Sequence, residues 1–169
     1  MFDRAGRRKY LNWPERMAFL RAAQREADPI KRAFCLTLFY TGCRISEALN
    51  LKRERIDAMG QALVFETLKR RRRGHFRAVP VPASLLGELQ KLAQATKPEG
   101  SIWSVSRATA YRWVKAVMRT AKIAGVQAAP KGLRHSFAVA GISRAVPLTV
   151  LQRWLGHAQL ETTAIYLNV

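Results

Sequence analysis

Carboxylates are scarce in this sequence. Eleven Asp and Glu face thirty Lys and Arg, and beyond Glu99 the only acid is Glu161. A metal-dependent nuclease needs converging carboxylates to hold its ions, so this composition argues against that class. Cysteine is nearly absent as well. Cys35 and Cys43 form no C-x-x-C pair and have no matching histidine spacing. That argues against a zinc site and fits a reducing, cytoplasmic setting. No apolar run reaches the roughly 18 residues of a membrane-spanning helix. Met1 to Tyr10 is basic with no apolar stretch behind it, so no signal peptide is expected. The phosphate-binding pattern G-x-x-x-x-G-K-[ST] is missing, which removes nucleotide-driven motors.

What the chain does have is positive charge on an otherwise ordinary globular composition. Its 169 residues are 49% apolar, enough for one domain with its own core, and the net charge is +19. The charge is not a detachable tail: residues 1–100 carry 21 basic and 10 acidic side chains, residues 101–169 nine and one. So basic a domain repels itself unless it meets a polyanion. Nucleic acid is the default partner, and an anionic membrane surface the weaker alternative.

Periodicity predicts a mainly α (α+β) domain spanning 1–169. Asn12 caps a helix that has Pro14 in its first turn and runs to about Ala27. Pro29 opens a second, with Phe34, Leu38 and Phe39 at helical spacing up to the break at Thr41-Gly42. A short helix holds Ile45, Ala48 and Leu49. Between Arg55 and Val81 the pattern changes to three short antiparallel strands, and the second turn, Lys69 to Gly74, is almost pure positive charge. Further helices start at Pro82, after Ser106 (with Tyr111, Val114, Val117 and Met118 on one face), at Pro130, and around Val150 to Trp154 before Gly156. Glu161 to Asn168 reads as a last helical segment.

Cutting and rejoining DNA without metal or ATP requires a nucleophile for phosphorus, cations for the non-bridging oxygens and an acid for the departing oxygen. Without clustered carboxylates the cations must be Arg, Lys and His, and arginine's fork suits phosphate best. The sequence supplies Arg44 in Thr41-Gly42-Cys43-Arg44-Ile45-Ser46-Glu47-Ala48-Leu49, Arg134 in Lys131-Gly132-Leu133-Arg134-His135-Ser136-Phe137, His157 in Leu155-Gly156-His157, and Tyr166 nine residues later. Nearby cations are expected to lower the Tyr166 phenol.

At these residues the chain resembles the tyrosine recombinase (phage-integrase) family. TGCRISEALNL is similar to that family's first arginine box, and LRHSF, LGH and TTxxY to its C-terminal box, in order. The resemblance covers Asn12 to Val169. It implies that Arg44 and Arg134 clamp the scissile phosphate, that His157 hydrogen-bonds it, and that Tyr166 attacks to give a 3′-phosphotyrosyl bond and a free 5′-hydroxyl, with no cofactor or metal. It also implies a general-acid lysine in the turn between the second and third strands. Lys69 fits that role, because lysine can release a proton and the arginines beside it cannot. Arg70, Arg71, Arg72 and Arg73 are read as phosphate contacts that carry no sequence information.

Two departures stand out. The family usually has histidine three residues before the second arginine; here the residue is Lys131, as in type IB topoisomerases, and it is kept as an active-site residue able to contact phosphate or shuttle a proton. The family also usually carries a separate N-terminal DNA-clamping domain and a C-terminal segment that docks on a neighbouring subunit, and neither is expected in 1–169. The expectation is therefore a site-specific recombinase or integrase catalytic domain of bacterial, phage or plasmid origin. It would act on double-stranded DNA by self-assembly as a dimer or tetramer, with accessory DNA-binding proteins as candidate partners. The alternatives are a topoisomerase-like relaxing enzyme and a catalytically silent DNA-binding module. Glu47 is read as a brace for the first arginine box, His135 as a buried, hydrogen-bonded residue that points elsewhere on the helix than Arg134, and Cys35, Cys43 and the four tryptophans as core.

Overall fold

The computed structural model describes residues 1–67, 74–97 and 99–169. Helix α1 (Trp13–Gln24) opens with a capping box: Asn12 Oδ1 accepts from the Glu15 amide, and Glu15 Oε2 accepts from the Asn12 amide, both at 2.9 Å. It ends three residues short of the sequence expectation. Asp28 must stay extended so that its side chain can accept from the amides of Ile30 and Lys31 and start the next helix.

Helix α2 (Pro29–Thr41) is the centre of the domain. Its apolar side chains from Ala33 to Phe39 are buried, and α1, α4, α5 and α6 pack around it. It terminates at Gly42, in the left-handed region at φ 59°; a Cβ there would lie 2.5 Å from the Phe137 ring. Helix α3 (Ile45–Leu49) follows at once.

Strands β1 (Ile56–Asp57), β2 (Ala62–Glu66) and β3 (Phe76–Pro80) form an antiparallel sheet in that order, with Leu63 opposite Val79 and Phe65 opposite Arg77. Alternation then turns Leu63, Phe65, Arg77 and Val79 to the core. Helices α4 (Ala83–Gln94) and α5 (Arg107–Thr120) complete the main core.

Helix α6 (Pro130–Ser143) divides two cavities. Successive helical residues turn by about 100°. Lys131, Arg134 and His135 therefore line one cavity, while Ser136, Val139, Ala140 and Ser143 line another on the opposite side. Helix α7 (Leu148–Leu155) stops at Gly156, φ 65°. The last segment is α8 (Glu161–Ala164) running into a 3₁₀ turn, Ile165–Asn168. Tyr166 seats it in a small second core with Ala138, Leu151 and Leu155.

The mainly helical architecture with a small three-stranded sheet is thus as expected, and Cys35 and Cys43 are buried free thiols. Two core expectations are not met. Tyr111 is 45% exposed, because it lies at the edge of the stripe formed by Ala110, Val114 and Val117. Trp13 is 53% exposed and lies under the Arg144 guanidinium. Among the described residues no helix is long and apolar enough to cross a membrane, and no group of His, Cys, Asp and Glu could hold a metal ion.

Candidate active site

Five residues from distant parts of the sequence line one cleft of about 620 Å³: Arg44, Lys131, Arg134, His157 and Tyr166. Each is positioned by a different device. Arg44 is the N-cap of α3, an extended position that carries its side chain out of the helix. Its amide donates to Glu47 Oε2 and its Nη1 to Glu47 Oε1, both at 2.8 Å. Glu47 is buried, and it also accepts from Arg77 Nη2 at 2.7 Å. Burial alone would raise the Glu47 pKa; Arg77 and Arg44 more than offset it and hold the carboxyl below its ordinary value. The brace expected of Glu47 is present, and it serves two arginines rather than one.

Arg134 sits one turn into α6. Its Nη1 donates to the Gly42 carbonyl at 2.8 Å and its Nη2 to the Leu155 carbonyl at 2.7 Å. The guanidinium is therefore hung between the end of α2 and the end of α7. Burial, helped by repulsion from Arg44, pulls its pKa down to about 10, which leaves it charged at neutral pH. Lys131, one helical turn earlier, is exposed on the cleft wall.

His157 follows the left-handed Gly156. Its Nδ1 lies 2.9 Å from Thr163 Oγ1, a buried hydroxyl on α8, and this leaves Nε2 for a ligand. Burial first, then Arg134, Arg44 and Arg77, lower its pKa to about 4, so the ring is neutral at pH 7. Cys43 also lines the cleft, but burial pushes its thiol up to about 12 and leaves it an inert filler.

Tyr166 departs from expectation in the direction of its pKa shift. It is only 2% exposed, and burial raises its phenol pKa although Arg134 and Arg44 pull the other way. Desolvation outweighs the cations. Its hydroxyl also has a partner: His135 Nδ1 lies 2.9 Å away. His135 is thus hydrogen-bonded, as expected, but it does not point elsewhere than Arg134. It lines the cleft beside Arg134, with Nε2 buried and unpartnered. Burial, then Lys131, Arg134, Lys9 and the terminal amine, bring its pKa to about 4.

Lys69 and Arg70, Arg71, Arg72 and Arg73 lie outside the described residues. The stem that carries them is described, and it is tied to the cleft by Arg77, which sequence reasoning missed. Arg77 reaches Thr67 Oγ1 at 3.1 Å, the Trp154 carbonyl at 2.8 Å and Glu47. One buried guanidinium thus joins the β2–β3 stem, the end of α7 before His157, and the brace of Arg44. The signal was available: Arg77, Val79 and Val81 alternate like inward strand positions. Arg107 and Tyr111 of α5 also line the cleft and carried no sequence signal.

The model of the phage integrase family matches residues 10–169. The chain belongs to the phage integrase family. Among relatives in that family, the tyrosine recombinase XerA of Pyrococcus furiosus is 34% identical over 148 residues, covering 82% of this chain and 50% of the relative. XerC of Nitrobacter winogradskyi is 36% identical over 141 residues, covering 78% and 43%. The phage-integrase chain thus spans about half the length of the curated relatives it matches. Among solved structures, a XerA recombinase superposes with a TM-score of 0.79 at 24% identity over 95% of this chain and 60% of that one. XerH, solved in a pre-cleavage complex with its difH substrate, gives 0.78 at 21% identity over 98% and 55%. These two likenesses carry the fold.

Proposed function

We propose that this chain is the catalytic part of a site-specific DNA recombinase that cuts and rejoins duplex DNA through a tyrosine, with no metal or ATP. The observation that carries this reading is the convergence of Arg44, Lys131, Arg134, His157 and Tyr166 on one cleft of a phage-integrase domain. Arg44 and Arg134 take the non-bridging oxygens of the scissile phosphate; each is fixed before DNA arrives, so charge stabilisation needs little reorganisation. His157, neutral and backed by Thr163, donates from Nε2 to the same phosphate. Tyr166 Oη attacks phosphorus, the bond to the 5′-oxygen breaks, and the DNA 3′ end is left on the tyrosine. Lys69 gives its proton to the departing 5′-oxygen. The phenolic proton leaves towards the cleft wall, where His135 and Lys131 stand. Religation reverses these steps, and the phosphodiester energy is retained in the phosphotyrosyl bond. Arg70 to Arg73 hold backbone phosphates beside the site. As in the complexes of its structural neighbours with DNA, the partner is duplex DNA. Self-assembly of several copies, with or without accessory proteins, would bring two cut sites together.

Covalent capture tests this. The protein is incubated in EDTA with fragmented DNA of its source, denatured, and the ends of protein-linked fragments are sequenced. Ends gathered at a few inverted repeats, lost in Tyr166→Phe, are expected. Scattered ends would make the protein a relaxing enzyme of topoisomerase type, and no tyrosine-dependent adduct would make it a binding module. Arg134→Ala should slow adduct formation by about 10²–10³, the loss typical of one oxyanion donor; near-normal cleavage would remove Arg134 from the site.

A further inference from the structure

On the side of α6 opposite the cleft, a groove of about 470 Å³ runs between α1 and α6. Its walls are largely apolar, from Leu11, Trp13, Val139 and Ala140, yet it contains two arginines, Arg16 and Arg144. Arg16 is 6% exposed. A guanidinium so buried normally has a carboxylate, because leaving water costs more than neutral acceptors return. Arg16 has none among the described residues. Its Nη1 reaches Ser136 Oγ at 3.3 Å and its Nη2 the Phe39 carbonyl at 3.4 Å, both long, and its Nε has no partner. The Phe39 ring lies under it at 4.1 Å. The charged group facing it is Arg144, which repels it, and burial with that repulsion lowers the Arg16 pKa to about 10. Arg144 is itself without a carboxylate among the described residues and rests over the exposed Trp13 ring, 4.8 Å from its centroid.

We propose that this groove is a docking site for a partner protein, and that it takes a carboxylate carried next to an apolar side chain on a peptide segment, with Arg16 and Arg144 as the anion receptors. The two cations and the missing acid specify an anion. The apolar walls and exposed indole specify an apolar neighbour on the same ligand. The cleft is lined by other residues of α6, so the groove is separate from the phosphate-clamping arginines. A second copy, with its net charge of +19, would meet the two arginines of the groove with like charge.

The test uses the whole chain and ¹H–¹⁵N NMR, with N-acetyl-leucine as the probe and its uncharged methylamide as the control. N-acetyl-leucine is expected to shift the Trp13 indole signal and the amides of residues 10–16 and 136–144 in a saturable way, and the methylamide to leave them unmoved. Arg16→Gln should weaken the binding by about tenfold or more, as expected for a lost charge-assisted contact. Arg144→Gln, a surface change, should weaken it less and guards against misfolding of the buried variant. No saturable shift from N-acetyl-leucine, or an equal response to the methylamide, would overturn the proposal. So would groove signals that move with a short DNA duplex or with protein concentration alone, because the occupant would then be nucleic acid or a second copy. The inference does not rest on cleavage chemistry: Tyr166→Phe should bind the probe like the parent protein.

Discussion

Arg77 and Arg16 are buried to the same degree, at 5% and 6% exposed, and they are held in opposite ways. Arg77 has a buried carboxylate, a hydroxyl and a carbonyl, at 2.7 to 3.1 Å. Arg16 has two long contacts to neutral oxygens, an aromatic ring and a second arginine. The first is a finished ion network whose parts cannot be removed singly. The second is a charge that the fold encloses without neutralising. Burial by itself therefore says little about whether an arginine stabilises this protein; the counter-ion decides.

The sharpest way to break the contrast is to truncate each arginine. Arg77→Met leaves Glu47 buried with one partner fewer and detaches the β2–β3 stem from α7. A loss of about 3–5 kcal/mol in urea unfolding is expected, and a loss under 1 kcal/mol would mean that Arg44 alone satisfies Glu47.

Gly156→Ala attacks the same network from the other side. Its φ is 65°, and a Cβ would lie 2.9 Å from the Arg77 guanidinium carbon. Backbone strain of about 1–3 kcal/mol is expected, together with reduced cleavage because His157 is the next residue. Unaltered stability and cleavage would show that Arg77 can step aside.

Acid extends the comparison to the histidines. The folded pKa values of His135 and His157 are near 4, below the ordinary 6.5. Between those limits the unfolded chain binds more protons than the folded one, so stability rises with pH and is lost as pH falls from 6.5 towards 4. Glu47, held low by Arg77 and Arg44, adds a further loss as pH falls below the ordinary carboxylate range. Thermal midpoints across pH 4–7 should fall first through the histidine window, and His157→Gln should flatten that part of the curve. The decline between pH 6.5 and 5.5 should be smaller than the effect of Arg77→Met.

Arg16→Met is expected to have the smallest effect, and of the opposite sign. Removing a charge with no counter-ion should leave the thermal midpoint unchanged or raise it. A loss as large as that of Arg77→Met would make Arg16 a structural residue and erase the contrast.

Much of this molecule is written locally in the sequence. Asn12, Pro29 and Ser106 start helices, Gly42 and Gly156 end them, and the arginine boxes with LGH and TTxxY point to the residues that share the cleft. What escaped depends on distance along the chain. Arg16 meets Ser136, 120 residues away, and nothing near Arg16 marks it as buried. His135 was read correctly as hydrogen-bonded, but its direction was missed, because the partner that draws it into the cleft, Tyr166, arrives on the last segment. The phenol shift was misjudged in sign because the cations are legible in the sequence and the depth of burial is not. Arg77 was legible in principle, through alternation with Val79 and Val81, and was hidden by the basic run beside it.

Arg134 is hung from the carbonyl oxygens of Gly42 and Leu155, which are main-chain atoms. An alanine scan cannot delete either acceptor, so it would report a buried arginine with no visible support. Side chains around it can drift without loosening the grip, provided that α2 and α7 end where they do. The helix ends, more than any neighbouring residue, are what selection must preserve. To probe the grip chemically requires backbone surgery, for example an ester in place of the amide after Gly42 or Leu155, which weakens the carbonyl as an acceptor and leaves every side chain in place.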